Sequence, residues 1–254
     1  MSKNTQIISW ADELAKQAEV AIANEPTTMG CKFFSLKGGI LTWDGEPIVN
    51  NEMPVIILDS MYENVYYEGH YQADSAVPPT CYALSRTGVA MAPHEDILEK
   101  GTQICESCAQ CEYNKYGSAT NKKGKKCKNS RRLAMVSAGN FNRNGEFEFN
   151  PDLLNDPIIG ILKIPVTSTK NYSDYVRKTA MTFKRPPFGV ITKIKVVLDP
   201  KTLFKIQFTT IGAVADEHIQ SVMDCVKLAE KNIEFPYNLE PISETPETTY
   251  KRKY

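Results

Sequence analysis

No stretch of this 254-residue sequence approaches the ~18 consecutive apolar residues of a membrane span, and its N-terminus lacks the charged-then-apolar pattern of an export signal. The chain is therefore expected to be soluble and intracellular. It has no nucleophile elbow, no phosphate-binding glycine loop and no paired-carboxylate motif, which makes an enzyme the weaker expectation. Neither an internal repeat nor a recognition-helix motif for double-stranded DNA is present. Net charge is absent too: 30 Lys and Arg balance 30 Asp and Glu.

That zero hides a segregation. Residues 1–100 carry 6 Lys/Arg against 14 Asp/Glu, whereas residues 101–200 carry 17 against 8. An acidic first part beside a basic middle is the distribution expected when one face meets a polyanion, although a segregated solvated surface would give the same counts.

Apolar residues make up 42% of the chain, ordinary for a globular protein, and the length suits one large domain or two small ones. Helical spacing of Trp10, Leu14, Ala18 and Ala21 predicts a helix over residues 10–23, capped by Ser9. Strand patterns follow at 32–43, with a turn or bulge at Gly38-Gly39, then at 54–59 and 64–71. Further strands are expected at 132–137, 146–149 and 158–165, and a short helix at 172–181. Residues 188–198 and 202–210 alternate as a half-buried hairpin with Lys193, Lys195 and Lys205 on its polar face. Ile219, Val222, Met223, Val226 and Ala229 mark the clearest helix, at 215–231, on whose core face Cys225 is expected as a buried thiol.

Between residues 75 and 131 apolar periodicity fades and Pro, Gly, Cys, Asn and Lys dominate. So long an irregular stretch inside a compact domain implies something that holds it, and a metal ion would do so. Four of the seven cysteines crowd into residues 105–127. In a reducing compartment such crowding argues for metal ligation over disulfides. Cys105, Cys108 and Cys111 form two overlapping CxxC turns, Cys127 closes a Gly- and Lys-rich loop, and Cys81 follows Pro78-Pro79. Zinc asks for four such ligands in a tetrahedron. Cys108 and Cys111 are the favoured pair, with Cys127 and Cys81 completing the set; Cys105 is the main rival to Cys81, and His94 or His70 lesser ones. An iron–sulfur arrangement competes, but no CP pair or second cysteine motif accompanies it. No HxE or HExxH motif attends these cysteines, so one closed structural zinc site is expected rather than a catalytic one.

Lys122, Lys123, Lys125, Lys126, Lys128 and Arg131 follow, then Arg143, Lys170, Lys193, Lys195 and Lys205, interleaved with Tyr113, Tyr116, Phe141, Tyr172 and Tyr175. Cations that neutralise phosphates beside rings that stack on bases are the two ingredients of single-stranded nucleic-acid binding. Tyr116, Tyr172 and Tyr175, set among polar neighbours, are the rings expected to stay accessible.

Residues 81–136 and 161–208 contain PPTCYAL, CAQCEYNKYGSA, KGKKCKNSRRLAMV, LKIPVTSTKNYSDYV and GVITKIKV. In these the chain resembles bacteriophage zinc-containing single-stranded DNA-binding (helix-destabilising) proteins of the OB-fold type. The resemblance implies that Cys81, Cys108, Cys111 and Cys127 ligate zinc, with Cys105 extra. It also implies work on single-stranded DNA, RNA not being excluded, alongside replication or recombination proteins in the infected bacterial cytoplasm. The chain departs from the family's acidic tail: Glu240, Glu244 and Glu247 are followed by Lys251, Arg252 and Lys253.

The expected fold is mainly β, an OB-like barrel over residues 28–214 with a zinc subdomain inserted at 75–131. An N-terminal helix within 1–27, an amphipathic helix within 215–239 and a mobile tail at 240–254 complete it. Two other functions compete: a metal-dependent nuclease using Asp59, Glu63 or Asp74, and an adaptor that inhibits a host enzyme.

Overall fold

The computed structural model describes residues 13, 14, 16, 17, 32–68 and 77–239. The chain divides into Met1–Gly30 and Cys31–Tyr254. In the first unit the described residues are helical, inside the span expected at 10–23. Cys31, His70, Asp74 and residues 240–254 lie outside the described residues.

The second unit is mainly β. Its strands are β1 (Lys32–Lys37), β2 (Ile40–Trp43), β3 (Glu46–Pro47), β4 (Glu52–Tyr66), β5 (Cys81–Ser85), β6 (Lys128–Ser137), β7 (Gly139–Phe141), β8 (Phe147–Phe149), β9 (Gly160–Ile164), β10 (Val190–Asp199) and β11 (Leu203–Ala213). Among the described residues, nine strands form one sheet in the order β11-β10-β4-β6-β9-β1-β2-β3, with β5 also on β4, while β7 and β8 pair apart. The sheet curls: Gly39, in the β1–β2 turn, abuts the Phe204 ring of β11 although many strands separate the two. Three helices attend it, α1 (Glu95–Lys100), α2 (Val166–Phe183) and α3 (Ile219–Ile233). No helix among the described residues is long and apolar enough to cross a membrane.

The 15-residue β4 organises the sheet. It pairs with β6 along most of its length; on its other edge β10 takes residues from Glu52 to Val55, and β5 takes Tyr62 to Tyr66. Both of its faces are covered, so its centre is a continuous apolar run and not an alternation. Val55 and Ile57 join the core under α2, with Leu133, Ile164 and Ile206. Ile56 and Leu58 join the core under α3, with Ala134, Val222 and Val226.

The β1–β2 turn is made by Gly38 and Gly39, both at positive φ, the conformation a two-residue hairpin turn demands. At Gly160 of β9 a Cβ would overlap the rings of Phe34 and Trp43, so those aromatics sit on bare backbone. α2 presents Ser168, Tyr172, Tyr175 and Thr179 inward at helical spacing. Its Ser168 hydroxyl accepts from the Ile206 N–H at 3.0 Å and its Asn171 amide donates to the Ile206 carbonyl at 2.9 Å. These bonds occupy the outward backbone of an edge strand that would otherwise invite another chain.

Several expectations need correction. The strand expected at 54–59 is part of the first half of a longer strand, β4, and the helix expected at 172–181 begins at Val166. Residues 75–131 are not without regular structure, since they hold β5 and α1. The hairpin expected at 188–210 forms as β10 and β11. The last helix, expected at 215–231, begins only at Ile219, after a short turn at Asp216–His218, with Cys225 buried on its core face.

Candidate functional site

Five cysteines meet at one end of β4. Cys81 opens β5, while Cys105, Cys108 and Cys111 come from the loop after α1 and Cys127 from the residue before β6. All five line one small cavity of about 20 Å³, together with Asn64, Tyr66, Tyr113 and Asn114, and no carboxylate lines it. The loop is fixed through its backbone: Cys108 N–H donates to Met91 O at 2.9 Å, Cys111 N–H to Ser107 O at 3.1 Å and Cys127 N–H to Tyr113 O at 2.9 Å. Asn114 ties these turns together. Its amide donates to Cys108 O at 2.7 Å, while its carbonyl accepts from Lys125 at 3.1 Å and Asn129 at 2.9 Å.

Burial pushes the Cys127 thiol up to about 12, and Cys108, Cys111 and Cys81 beside it add to that push. Cys81 is raised by burial too, then by Cys108 and Cys111. Cys105 stands against Cys111 and Cys108 and donates its S–H to Ser107 O at 3.1 Å. Cys81, Cys108, Cys111 and Cys127 each influence the other three electrostatically, while Cys105 meets Cys111 and Cys108. As placed, no three His, Cys, Asp or Glu side chains among the described residues stand ready to hold a metal ion. His94 is engaged elsewhere: its Nδ1 lies 2.8 Å from the Tyr82 hydroxyl and accepts from the Asp96 N–H that opens α1.

Around this cavity the lysines are free of carboxylates. Lys122, Lys123, Lys126 and Lys128 are exposed, and neither they nor Lys125 make an ion pair among the described residues. Tyr116 is 79% exposed, and Lys126 lies over the Tyr113 ring at 4.7 Å.

The other expected contacts fare differently. Tyr172 and Tyr175 are 2% and 6% exposed, because their spacing in α2 aims both rings at Phe208 and the sheet. Buried so, neither can meet a base. Arg131 lies between the rings of Tyr62 and Tyr172, at 4.1 and 4.9 Å from their centroids. Lys170 pairs with Asp174 at 2.7 Å, Lys195 with Glu52 at 2.8 Å and Lys205 with Asp199 at 2.9 Å. Of Lys193, Lys195 and Lys205, the three hairpin lysines expected to meet DNA, Lys193 alone makes no ion pair among the described residues; it lies 5.7 Å from the Phe141 ring. The two basic patches are also apart. Lys128 pairs with Val65 and Lys195 with Glu52, so up to about 40 Å of β4 separates them at ~3.3 Å per residue.

Among the carboxylates considered for a nuclease, Asp59 pairs with Arg86. Glu63 is buried against Arg132, Lys163 and Tyr237. Sequence reasoning missed that cluster, and it missed a wide groove at the other end of β4 lined by Phe34, Trp43, Met53, Phe141 and Arg143. Phe141 and Arg143 carried a signal, as an aromatic and a cation close together; the rest is brought in by strand pairing. Comparison with protein-family models, with curated proteins and with solved structures gives no match.

Proposed function

We propose that this chain binds single-stranded DNA without sequence preference, as a phage replication or recombination protein in the host cytoplasm. The contact is made by Lys122, Lys123, Lys125, Lys126 and Lys128 with Tyr116. One observation carries the reading: five lysines without carboxylate partners and a tyrosine 79% exposed share a single lobe. Free cations gain from phosphate by releasing its counterions, and an open ring stacks on any base. The curled β sheet is then an open variant of an OB-like barrel, with the lobe as its inserted subdomain.

The lobe is held by one zinc ion on Cys81, Cys108, Cys111 and Cys127. The donor set fits: sulfurs on one small cavity, with no oxygen acid among its lining. Zinc supplies no chemistry in this reading; it fixes the path of a loop whose short turns could not hold themselves.

The test is fluorescence polarisation of labelled DNA and RNA oligonucleotides at rising salt, with and without chelator. Affinity for all DNA sequences alike, falling steeply with salt and weakened by chelator, is the expected result. Failure to bind any oligonucleotide at low salt sinks the proposal in favour of the adaptor.

A further inference from the structure

At the end of β4 away from the thiol lobe lies a groove of about 880 Å³, inside the ~300–1,000 Å³ range of ligand pockets. Trp43 of β2 and Met53 of β4 line it from the sheet, and Phe141 and Arg143 line it from the β7–β8 hairpin. Asn50, Asn140 and Asn144 line it as well, and their side-chain amides make no hydrogen bond among the described residues. Arg143 has no carboxylate within ion-pair distance among them, nor has Lys193, whose ammonium lies 5.7 Å from the Phe141 ring. Of the acids in the lining, Glu52 is neutralised by Lys195 at 2.8 Å, which leaves Asp156.

Two aromatic rings, three unspent amides and two unspent cations describe a ligand with a flat face, a hydrogen-bonding edge and an attached anion. A nucleotide has all three: rings stack on its base, amides bond the base edge, and cations meet the phosphate. A nucleic-acid strand offers Arg143 and Lys193 an anion at every nucleotide, whereas a peptide does so only where it carries Asp or Glu. We infer that this groove takes unpaired bases of the same strand that the lysine lobe holds, so that one strand bridges both ends of β4. The inference rests on the single-strand reading above and extends it from one contact to two. With up to about 40 Å of β4 between the contacts, a strand of a few nucleotides reaches one of them and a longer strand reaches both.

The experiment uses the full chain with Trp10→Phe, which leaves Trp43 as the single tryptophan. Fluorescein-labelled oligo(dT) of about 4 and about 16 nucleotides, the ends of the usual single-strand site range, is titrated while polarisation and Trp43 emission are both read. The 16-mer should quench Trp43 and bind about a hundredfold more tightly than the 4-mer, through linkage of two contacts. Phe141→Ala with Arg143→Ala should shrink that gap to less than about fivefold while leaving 4-mer binding to the lobe unchanged. Asn140→Ala, a smaller change at an exposed position, should narrow it partway. Binding of the 16-mer with Trp43 emission unchanged and the gap kept in the variants overturns the inference alone, and opens the groove to a peptide. Absence of any polarisation change overturns the single-strand reading together with it.

Discussion

Glu63 and Arg132 form an ion pair in the interior. Nε and Nη2 of Arg132 both lie 2.8 Å from Oε1 of Glu63, and each residue is 1% exposed. Lys163 reaches the second carboxylate oxygen at 2.6 Å, Ser130 donates to it at 2.7 Å, and Tyr237 donates to Oε1 at 2.8 Å. Arg132 also donates to the carbonyls of Ile233 and Phe235. The pair therefore joins β4 and β6 to the end of α3 and the segment after it.

Acid should unfold the protein through this carboxylate. Burial alone would raise Glu63, but Lys163 and Arg132 beside it, with hydrogen bonds from Lys163 and Ser130, hold it at about 2 against an ordinary 4.5. A depressed carboxylate contributes stability that is complete above its unfolded value and fades as pH falls through the folded one. Urea unfolding should accordingly lose on the order of 2–3 kcal/mol between about pH 5 and pH 2 on account of this group. Glu63→Gln should flatten that dependence. It should also cost ~3–5 kcal/mol at neutral pH, because Arg132 keeps a buried charge without a counter-charge. An unchanged pH profile in the variant would remove Glu63 from the explanation.

The purified protein should carry about one zinc per chain, since the cavity offers one complete set of four adjacent thiols. Serine at Cys81, Cys108, Cys111 or Cys127 should abolish metal and lower stability, whereas Cys105→Ser should keep both. Elemental analysis that finds iron, or full zinc in Cys81→Ser, would refute the assignment.

Local signals in the sequence were legible and distant ones were not. The β10–β11 hairpin shows because one residue in two is apolar, and α3 because Val222, Val226 and Ala229 recur at helical spacing. The thiols show because three lie within seven residues. β4 hid its length because both faces of its centre are buried, and because Tyr62, Glu63 and Asn64 look like surface residues. Glu63 is inside because Arg132 and Lys163 arrive from strands some 70 and 100 residues on, which no local pattern encodes. Tyr172 and Tyr175 misled for the matching reason: polar neighbours in α2 said surface, while their own spacing put them on its inner face beside Ser168 and Thr179.

Gly160→Ala should show how closely β9 is packed. The added methyl has no room beside Phe34 and Trp43, so one of the rings must turn away from the sheet. Overpacking of this kind costs ~1–3 kcal/mol, and a moved Trp43 should change its emission maximum. Unaltered stability and emission would mean that the aromatics have slack the structure does not display.

Charge and stacking should separate in the salt dependence of binding. Each phosphate contact on a single strand contributes ~0.7 to the slope of log affinity against log salt. Neutralising Lys122, Lys123, Lys126 and Lys128 together should lower that slope by up to ~3 and weaken binding to every sequence alike. Neutralising Lys195 and Lys205 should change it little, because Glu52 and Asp199 already hold them. Tyr116→Ala should cost ~1–3 kcal/mol of affinity at unchanged slope, the signature of a lost stacking face. Tyr172→Ala should behave otherwise again, costing ~3–5 kcal/mol of folding stability by opening a cavity between α2 and the sheet. If the lysine variant kept its slope while Tyr116→Ala kept its affinity, the lobe would not be the nucleic-acid contact, and the adaptor reading would take its place.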